Sequence, residues 1–484
     1  MTKHLLALAL TLLMAAPVHS KVRLPHVIGD CMILQQQAEA RLWGWAKPGS
    51  EIKVSVSWSK KVYRTKTGED GKWLVKVLTP AASYTPLSIS FDDGEKVTIC
   101  NVLAGEVWVC AGQSNMEFPV RGFNNCPLEN YAETVASAND YKGIHYVKVP
   151  SVMSMTPLED ADCNWQTVNP ATVSECSAVG YFFARVINKA LEIPVGLVIA
   201  NKGGTRVESW LDRDNLRKYT SESLDSSEMA HRFSESYHYP LLWGNGTFHP
   251  ILNYTVKGIL YYQGCSNVGD PANQYSDRLR LLADQWRRDF QLGEIPFYIV
   301  QIAPYVYGDG LDGVSGALLR EQQVRAADII PHSGIVCTND LVYPWEKSQI
   351  HPCRKQPVGE RLAYLALNHD YGLKNLYCES PRFKEMEIGG DTCYVRLKND
   401  FGGISRFEDI EGFEVAGADK VFHKATAGHF WRPGRDARNE TIFVTSPEVK
   451  KPVAVRYCFK NFQVGNLKNN ANLPLLPFRT DNWQ

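Results

Sequence analysis

Glu106-Val107-Trp108-Val109-Cys110-Ala111-Gly112-Gln113-Ser114-Asn115-Met116 is an apolar run that stops on a glycine and turns polar within two residues. Residues 106–110 predict a buried strand, and Gly112-Gln113-Ser114 predicts a tight turn into a helix. A serine on such a turn projects its hydroxyl above the end of a sheet, and its N–H is placed to meet a developing oxyanion. Taken alone, the same serine reads as an ordinary helix cap. What surrounds it decides between the two.

Four further strand-like runs follow, at 195–200, 256–262, 296–301 and 333–338. Helical stretches separate them. Residues 177–191 carry Val179, Phe182, Phe183, Val186, Ile187 and Ala190 on one stripe, the pattern of a helix packed on a sheet. Residues 274–290, 316–330 and 358–369 read the same way. Five strands with helical crossovers predict an α/β unit over residues 104–374, built on a five-stranded parallel sheet covered on both faces. Ligands of such sheets bind beyond the C-terminal ends of the strands.

On either side the pattern is β-like. Residues 21–103 hold short alternating runs broken by Lys47-Pro48-Gly49-Ser50, Glu69-Asp70-Gly71 and Asp92-Asp93-Gly94, which suggests a small β-sandwich. Residues 375–484 return to β-like segments at 385–388, 393–397, 441–444 and 453–459, then end in an aromatic, proline-containing tail. This predicts a second β-rich region packed on the central unit. Residues 1–20 have Lys3 and His4, an apolar run at 5–16 and a small-residue exit at Ser20, the layout of a secretory signal. The run is too short for a membrane span. The expectation is a protein exported to the periplasm or medium, with no membrane anchor. Lys plus Arg and Asp plus Glu both total 52, so net charge offers no basis for binding nucleic acid. Twelve cysteines suit an oxidising compartment, contain no Cys-x-x-Cys pair, and leave both disulfides and buried free thiols open.

Polar clusters fall directly after the strands. Asn201-Lys202-Gly203-Gly204-Thr205-Arg206 follows the second, Gln263-Gly264-Cys265-Ser266-Asn267 the third, and Asn339-Asp340 with Ile350-His351-Pro352 the fifth. Gly203 and Gly204 let backbone N–H groups approach an oxyanion unobstructed. Gln263 or Asn267 offers a side-chain amide donor beside them. Each cluster alone has a bland reading, a turn or a satisfied polar residue; together at the C-terminal edge of one sheet they point to a site.

These blocks resemble the sialate O-acetylesterase family, within the SGNH-type esterases. Gly112-Gln113-Ser114-Asn115-Met116 is similar to its nucleophile block, and Gly203-Gly204-Thr205 with Glu208-Ser209-Trp210 to its second. Tyr262-Gln263-Gly264 with Asn267 is similar to the third, and Ile350-His351-Pro352 with Gly359-Glu360-Arg361-Leu362-Ala363 to the last. Ala454-Val455-Arg456-Tyr457 and Pro477-Phe478-Arg479-Thr480-Asp481-Asn482-Trp483 extend the likeness to the tail. The resemblance implies a three-layer hydrolase domain, no metal or cofactor, and release of acetate from O-acetylated sugars, foremost sialic acids. Ser114 is then the nucleophile and His351 the base. Ser114, Gly203, Gly204, Gln263 and Asn267 supply the candidate oxyanion donors. Gln113, Arg206 and Trp210 stand on the substrate side; a structural ion pair and a core ring are the bland readings of the last two.

One position departs from the pattern. SGNH-type esterases place an Asp three residues before the catalytic His, where this chain has Ser348. A serine does not stabilise an imidazolium as a carboxylate does. Either Asp340 or Glu346 orients His351, Asp340 being favoured because it follows a strand directly, or the pair works as a dyad. His238, His249 and His332 are competing histidines with ordinary surface or core readings. Two rival functions remain: an esterase of acetylated xylan or another plant glycan, and a carbohydrate-binding protein without catalysis.

Overall fold

The strand that leads into the Ser114 turn is longer than its apolar run. In the computed structural model, which describes residues 21–219, 222–405, 408–430 and 441–483, it runs without a break for 17 residues. The expected export segment at 1–20 lies outside the described residues. Before this strand come β1 (Ile33–Gln35), β2 (Glu39–Trp45), β3 (Glu51–Val56), β4 (Val62–Lys66), β5 (Lys72–Leu78) and β6 (Ser83–Asp92). The long strand is β7 (Lys96–Gly112). Its first half pairs with β6 and β1, closing the N-terminal β unit, and its second half enters the central sheet.

The central sheet adds β8 (Ile144–Lys148), β9 (Trp165–Thr167), β10 (Val195–Asn201), β11 (Gly258–Tyr262), β12 (Phe297–Val300) and β13 (Ser333–Val336). Their order is β13-β12-β11-β7-β10-β8-β9, with β7 in the middle. All five expected strands are present. The expected strand count is corrected, because β8 pairs in parallel with β10 as a sixth parallel strand and β9 closes the edge antiparallel. Strand β8 escapes pattern reading because Ile144-His145-Tyr146-Val147 has no apolar continuity. His145 is nevertheless buried, with its Nδ1 against the Cys31 carbonyl at 2.6 Å.

Alternation along the sheet sends neighbouring side chains to opposite layers. Val107, Val109 and Ala111 join one core with Leu282 and Trp286 of α6 (Gln274–Phe290) and Leu319 of α7 (Ser315–Ile329). Trp108 and Cys110 join the other, with Phe182 and Ile187 of α3 (Ala178–Leu191) and Leu362 of α8 (Gln356–His369). Ser177 caps α3 by accepting from the Gly180 N–H at 3.2 Å. The four shorter helices are α1 (Ser114–Glu117), α2 (Tyr131–Ala136), α4 (Arg213–Tyr219) and α5 (Ser226–Arg232). Cys110, Cys337 and Cys458 are buried free thiols.

Among the described residues the C-terminal region forms two four-stranded sheets. One contains β14 (Arg382–Gly389), β15 (Thr392–Lys398), β18 (Thr426–Phe430) and β19 (Thr441–Thr445); the other contains β16 (Phe413–Ala416), β17 (Phe422–Lys424), β20 (Ala454–Tyr457) and β21 (Phe478–Arg479). Polar bolts join it to the central unit. Arg479 holds Glu321 at both carboxylate oxygens, 2.9 Å each, and Asn461 accepts from the Gly316 N–H at 2.7 Å. Among the described residues no helix is long and apolar enough to cross a membrane.

Candidate active site

The site grows from the end of β7. Gly112 has φ +132°, and a Cβ there would lie 2.2 Å from the Tyr262 carbonyl oxygen, so only glycine lets β7 and β11 end this close together. The chain then turns through Gln113, whose N–H donates to that same carbonyl at 2.9 Å. Ser114 opens the one-turn helix α1. The Gln113 side chain faces the third polar cluster, where its Oε1 accepts from the N–H groups of Gly264 at 2.7 Å and Cys265 at 2.9 Å. Gln113 therefore fastens the serine turn to the loop after β11.

Gly203 and Gly204, after β10, lie against this turn. A Cβ on Gly203 would stand 3.3 Å from Ser114 Cβ. Its N–H is taken, donating to Glu117 Oε2 at 2.7 Å. The N–H groups of Ser114 and Gly204 have no acceptor among the described residues. Gly204 has φ +79° and is packed on the Tyr237 ring.

His351 arrives on the loop after β13. Glu346 shapes that loop by accepting from the Tyr343 N–H at 2.8 Å and the Cys353 N–H at 2.9 Å. The link to the serine turn runs through neighbouring residues: Asn115 Nδ2 donates to the Ile350 carbonyl at 3.0 Å. The imidazole packs edge-on against Phe123 with ring centroids 5.2 Å apart. Burial pulls its pKa down to about 4, and the Lys355 ammonium adds to the effect. Among the described residues neither the Ser114 hydroxyl nor the His351 ring has a hydrogen-bond partner.

Asp340 sits elsewhere. Its carboxylate takes a bidentate pair from Arg361 at 2.8 and 2.7 Å and lies 3.3 Å from Lys468 Nζ. Arg361 and Lys468 hold it below the usual carboxylate range despite its burial. Its bonds run to α8 and the C-terminal region rather than to His351. Ser348 is exposed.

The two amides are also occupied. Gln263 Nε2 donates to the Thr205 carbonyl at 3.0 Å and to Asn267 Oδ1 at 2.8 Å. Asn267 Nδ2 donates to Glu208 at 3.0 Å and Asp270 at 2.9 Å. Each has two hydrogens, and both are spent. Glu208 is fully buried, held by Arg278 and lying 3.4 Å from Arg206. Arg206 also pairs with Glu222 at 2.8 Å. Trp210 is fully buried, its ring near Phe248 and Trp286 and its indole N–H donating to Thr205 at 3.1 Å. These residues form a rigid floor behind the glycine turn. The other histidines have separate settings: His332 is 2.8 Å from Asp370, His249 Nδ1 contacts the Leu158 carbonyl at 2.7 Å, and His238 packs on Tyr237.

Sequence reasoning passed over Asn115, Glu117 and Lys355. Lys355 is buried, with Nζ donating to Asn115 Oδ1 at 2.6 Å. Its one visible signal is a lysine in the place of a helix cap. Among the described residues no group of three or more His, Cys, Asp or Glu is arranged to hold a metal.

A sheet with a serine turn at its central strand, open backbone donors beside it and a histidine loop tied across it defines the ester-hydrolase class of α/β proteins. The family described as carbohydrate esterase, sialic acid-specific acetylesterase, matches residues 104–368. The chain belongs to that family, and is a carboxylic-ester hydrolase acting on O-acetylated sugars. Human sialate O-acetylesterase is 28% identical over 407 residues, covering 76% of this chain and 74% of its own. The mouse sialate O-acetylesterase is 25% identical over 454 residues, covering 81% and 82%. A carbohydrate acetylesterase from Xanthomonas citri has a TM-score of 0.83 at 31% identity, covering 96% of this chain and 100% of the other.

Proposed function

We propose that the chain removes acetyl groups from O-acetylated sialic acids through Ser114 and His351 acting as a dyad. The observation that carries the pairing is the Asn115–Ile350 hydrogen bond, which joins the residue after the serine to the residue before the histidine, and likeness to the sialate O-acetylesterases supports the substrate. Ser114 Oγ attacks the acetyl carbonyl while its proton passes to His351. The open N–H groups of Ser114 and Gly204 receive the oxyanion. Collapse breaks the bond to the sugar oxygen, which takes the proton from His351 and leaves an acetyl-enzyme. Water, deprotonated by His351, then attacks that ester and releases acetate and Ser114. A low imidazole pKa keeps the base neutral in mildly acidic surroundings. Gln113, Arg206 and Trp210 support this site from behind: Gln113 by fixing the turn, the other two through the buried floor. Export out of the cytoplasm, inferred from residues 1–20, belongs to the same proposal.

The test compares wild type with Ser114→Ala and His351→Gln on 4-nitrophenyl acetate, O-acetylated sialic acid and acetylated xylan. Loss of at least about a thousandfold in kcat/KM for both variants is expected. Turnover of xylan alone would move the substrate to plant glycans. A wild type inactive on all three esters would favour a sugar-binding protein instead.

A further inference from the structure

Lys355 stands where a lysine is least at home. It is 1% exposed and has no ion-pair partner among the described residues. It also occupies the N-cap of the 14-residue helix α8, whose dipole disfavours a cation at that end. A buried ammonium without a contact ion pair is unfavourable, and an apolar side chain of similar length would fill the space without that cost. The ammonium lies 4.8 Å from the Phe118 ring centroid and 5.8 Å from that of Tyr262, so aromatic faces supply part of the missing stabilisation. Its short hydrogen bond goes to Asn115 Oδ1.

That bond decides which way the Asn115 amide faces. With Oδ1 held by a donor that has no acceptor capacity, the NH2 group must turn outward, and there it meets the Ile350 carbonyl. We infer that Lys355 is a positioning residue for the Ser114–His351 pair, acting through the Asn115 amide and the Ile350 backbone to set the base against the nucleophile. This rests on the reading of Ser114 and His351 as the catalytic pair. The electrostatics agree with the geometry. Burial lowers Lys355 to about 7, opposed by the Glu346 carboxylate. The charged groups acting on His351 reduce to Lys355 itself. In acid, where Lys355 is charged, it works against protonation of the imidazole.

The test is the pH profile of kcat and KM for Lys355→Met, Lys355→Gln and Asn115→Ala, run beside Ser114→Ala on 4-nitrophenyl acetate. Lys355→Met is expected to lower kcat about tenfold to a hundredfold, the scale of a misplaced catalytic group, with KM little changed. The acid limb of kcat/KM should move to higher pH, since the cation opposing imidazole protonation is gone. Lys355→Gln keeps a donor without charge, so it should recover much of kcat while the limb stays shifted. Asn115→Ala keeps the charge, so kcat should fall with the limb unmoved. If Lys355→Met does not fold, the other two variants decide. An acid limb and kcat matching wild type in the Lys355 variants, with Ser114→Ala inactive, would overturn this inference alone. An active Ser114→Ala would overturn the dyad reading and this inference with it.

Discussion

Asn115 Nδ2 donates to the Ile350 carbonyl across 3.0 Å, and the two residues are 235 positions apart in the chain. The bond spans the two loops that carry the candidate nucleophile and base. Asn115→Asp conserves volume but replaces the donor by an oxygen that repels the carbonyl. Turnover of 4-nitrophenyl acetate is expected to fall about tenfold to a hundredfold. Steady-state kinetics on the folded variant, checked by circular dichroism, reads the effect.

The pH dependence should be unusual for a histidine base. His351 is held neutral down to about 4 instead of the ordinary 6.5. Activity should therefore persist as pH falls through 6 and 5 and disappear as the ring protonates near 4. The unfolded chain binds a proton at this histidine from 6.5 downward while the native chain does not. Its contribution to stability is thus present above 6.5 and lost as pH falls to about 4. A kcat/KM profile from pH 3.5 to 8 checks the first statement, and urea titrations at both ends of the window check the second.

Asp340→Asn separates an anchor from a catalytic acid. Removing one member of a buried ion pair is expected to lower stability by about 3–5 kcal/mol, read as a reduced urea midpoint. The kcat and acid limb should remain close to wild type, because Asp340 binds Arg361 and Lys468. Its lowered pKa means this stabilisation is present above the ordinary carboxylate value and lost as pH falls through the native one. A large fall in kcat with an unchanged midpoint would instead restore Asp340 as the acid.

Gly204→Ala places a Cβ 2.4 Å from the Tyr237 ring at a φ of +79°. The turn must move, carrying its N–H away from the oxyanion position. A loss of about a hundred- to a thousand-fold in kcat is expected. Adding Tyr237→Ala removes the clash but not the backbone strain, so the double variant should recover part of the activity.

Export can be read from mass alone. The native host should yield a mature protein lacking about the first 20 residues, the usual length of a signal segment, in the periplasm or medium. Intact-mass spectrometry of the secreted or periplasmic fraction decides it; a full-length cytoplasmic chain would count against export.

Much of the site was legible because strand, glycine turn and polar cluster are local patterns. The turn at Gly112, the glycine pair 203–204 and the helix at 274–290 all lie within short windows whose periodicity is visible. Strand β8 was not, since its burial comes from neighbours rather than from its own run of residues. The fate of side-chain hydrogens was hidden as well. Gln263 and Asn267 look like free amides until Thr205, Glu208 and Asp270 are brought beside them. Asp340 looks like a base-orienting acid until Lys468, from the C-terminal region, reaches it. Lys355 reads as a surface lysine until Phe118 and Tyr262 close over it.

The unbroken course of β7 has a consequence for the architecture as a whole. Leu103 pairs with Ile33 of the N-terminal unit, and Glu106, three residues on, pairs with Val195 of the central sheet. One strand therefore serves both units, and it passes from one to the other without a linker. Excising the N-terminal β unit would strip hydrogen-bonded neighbours from the very strand that presents Ser114.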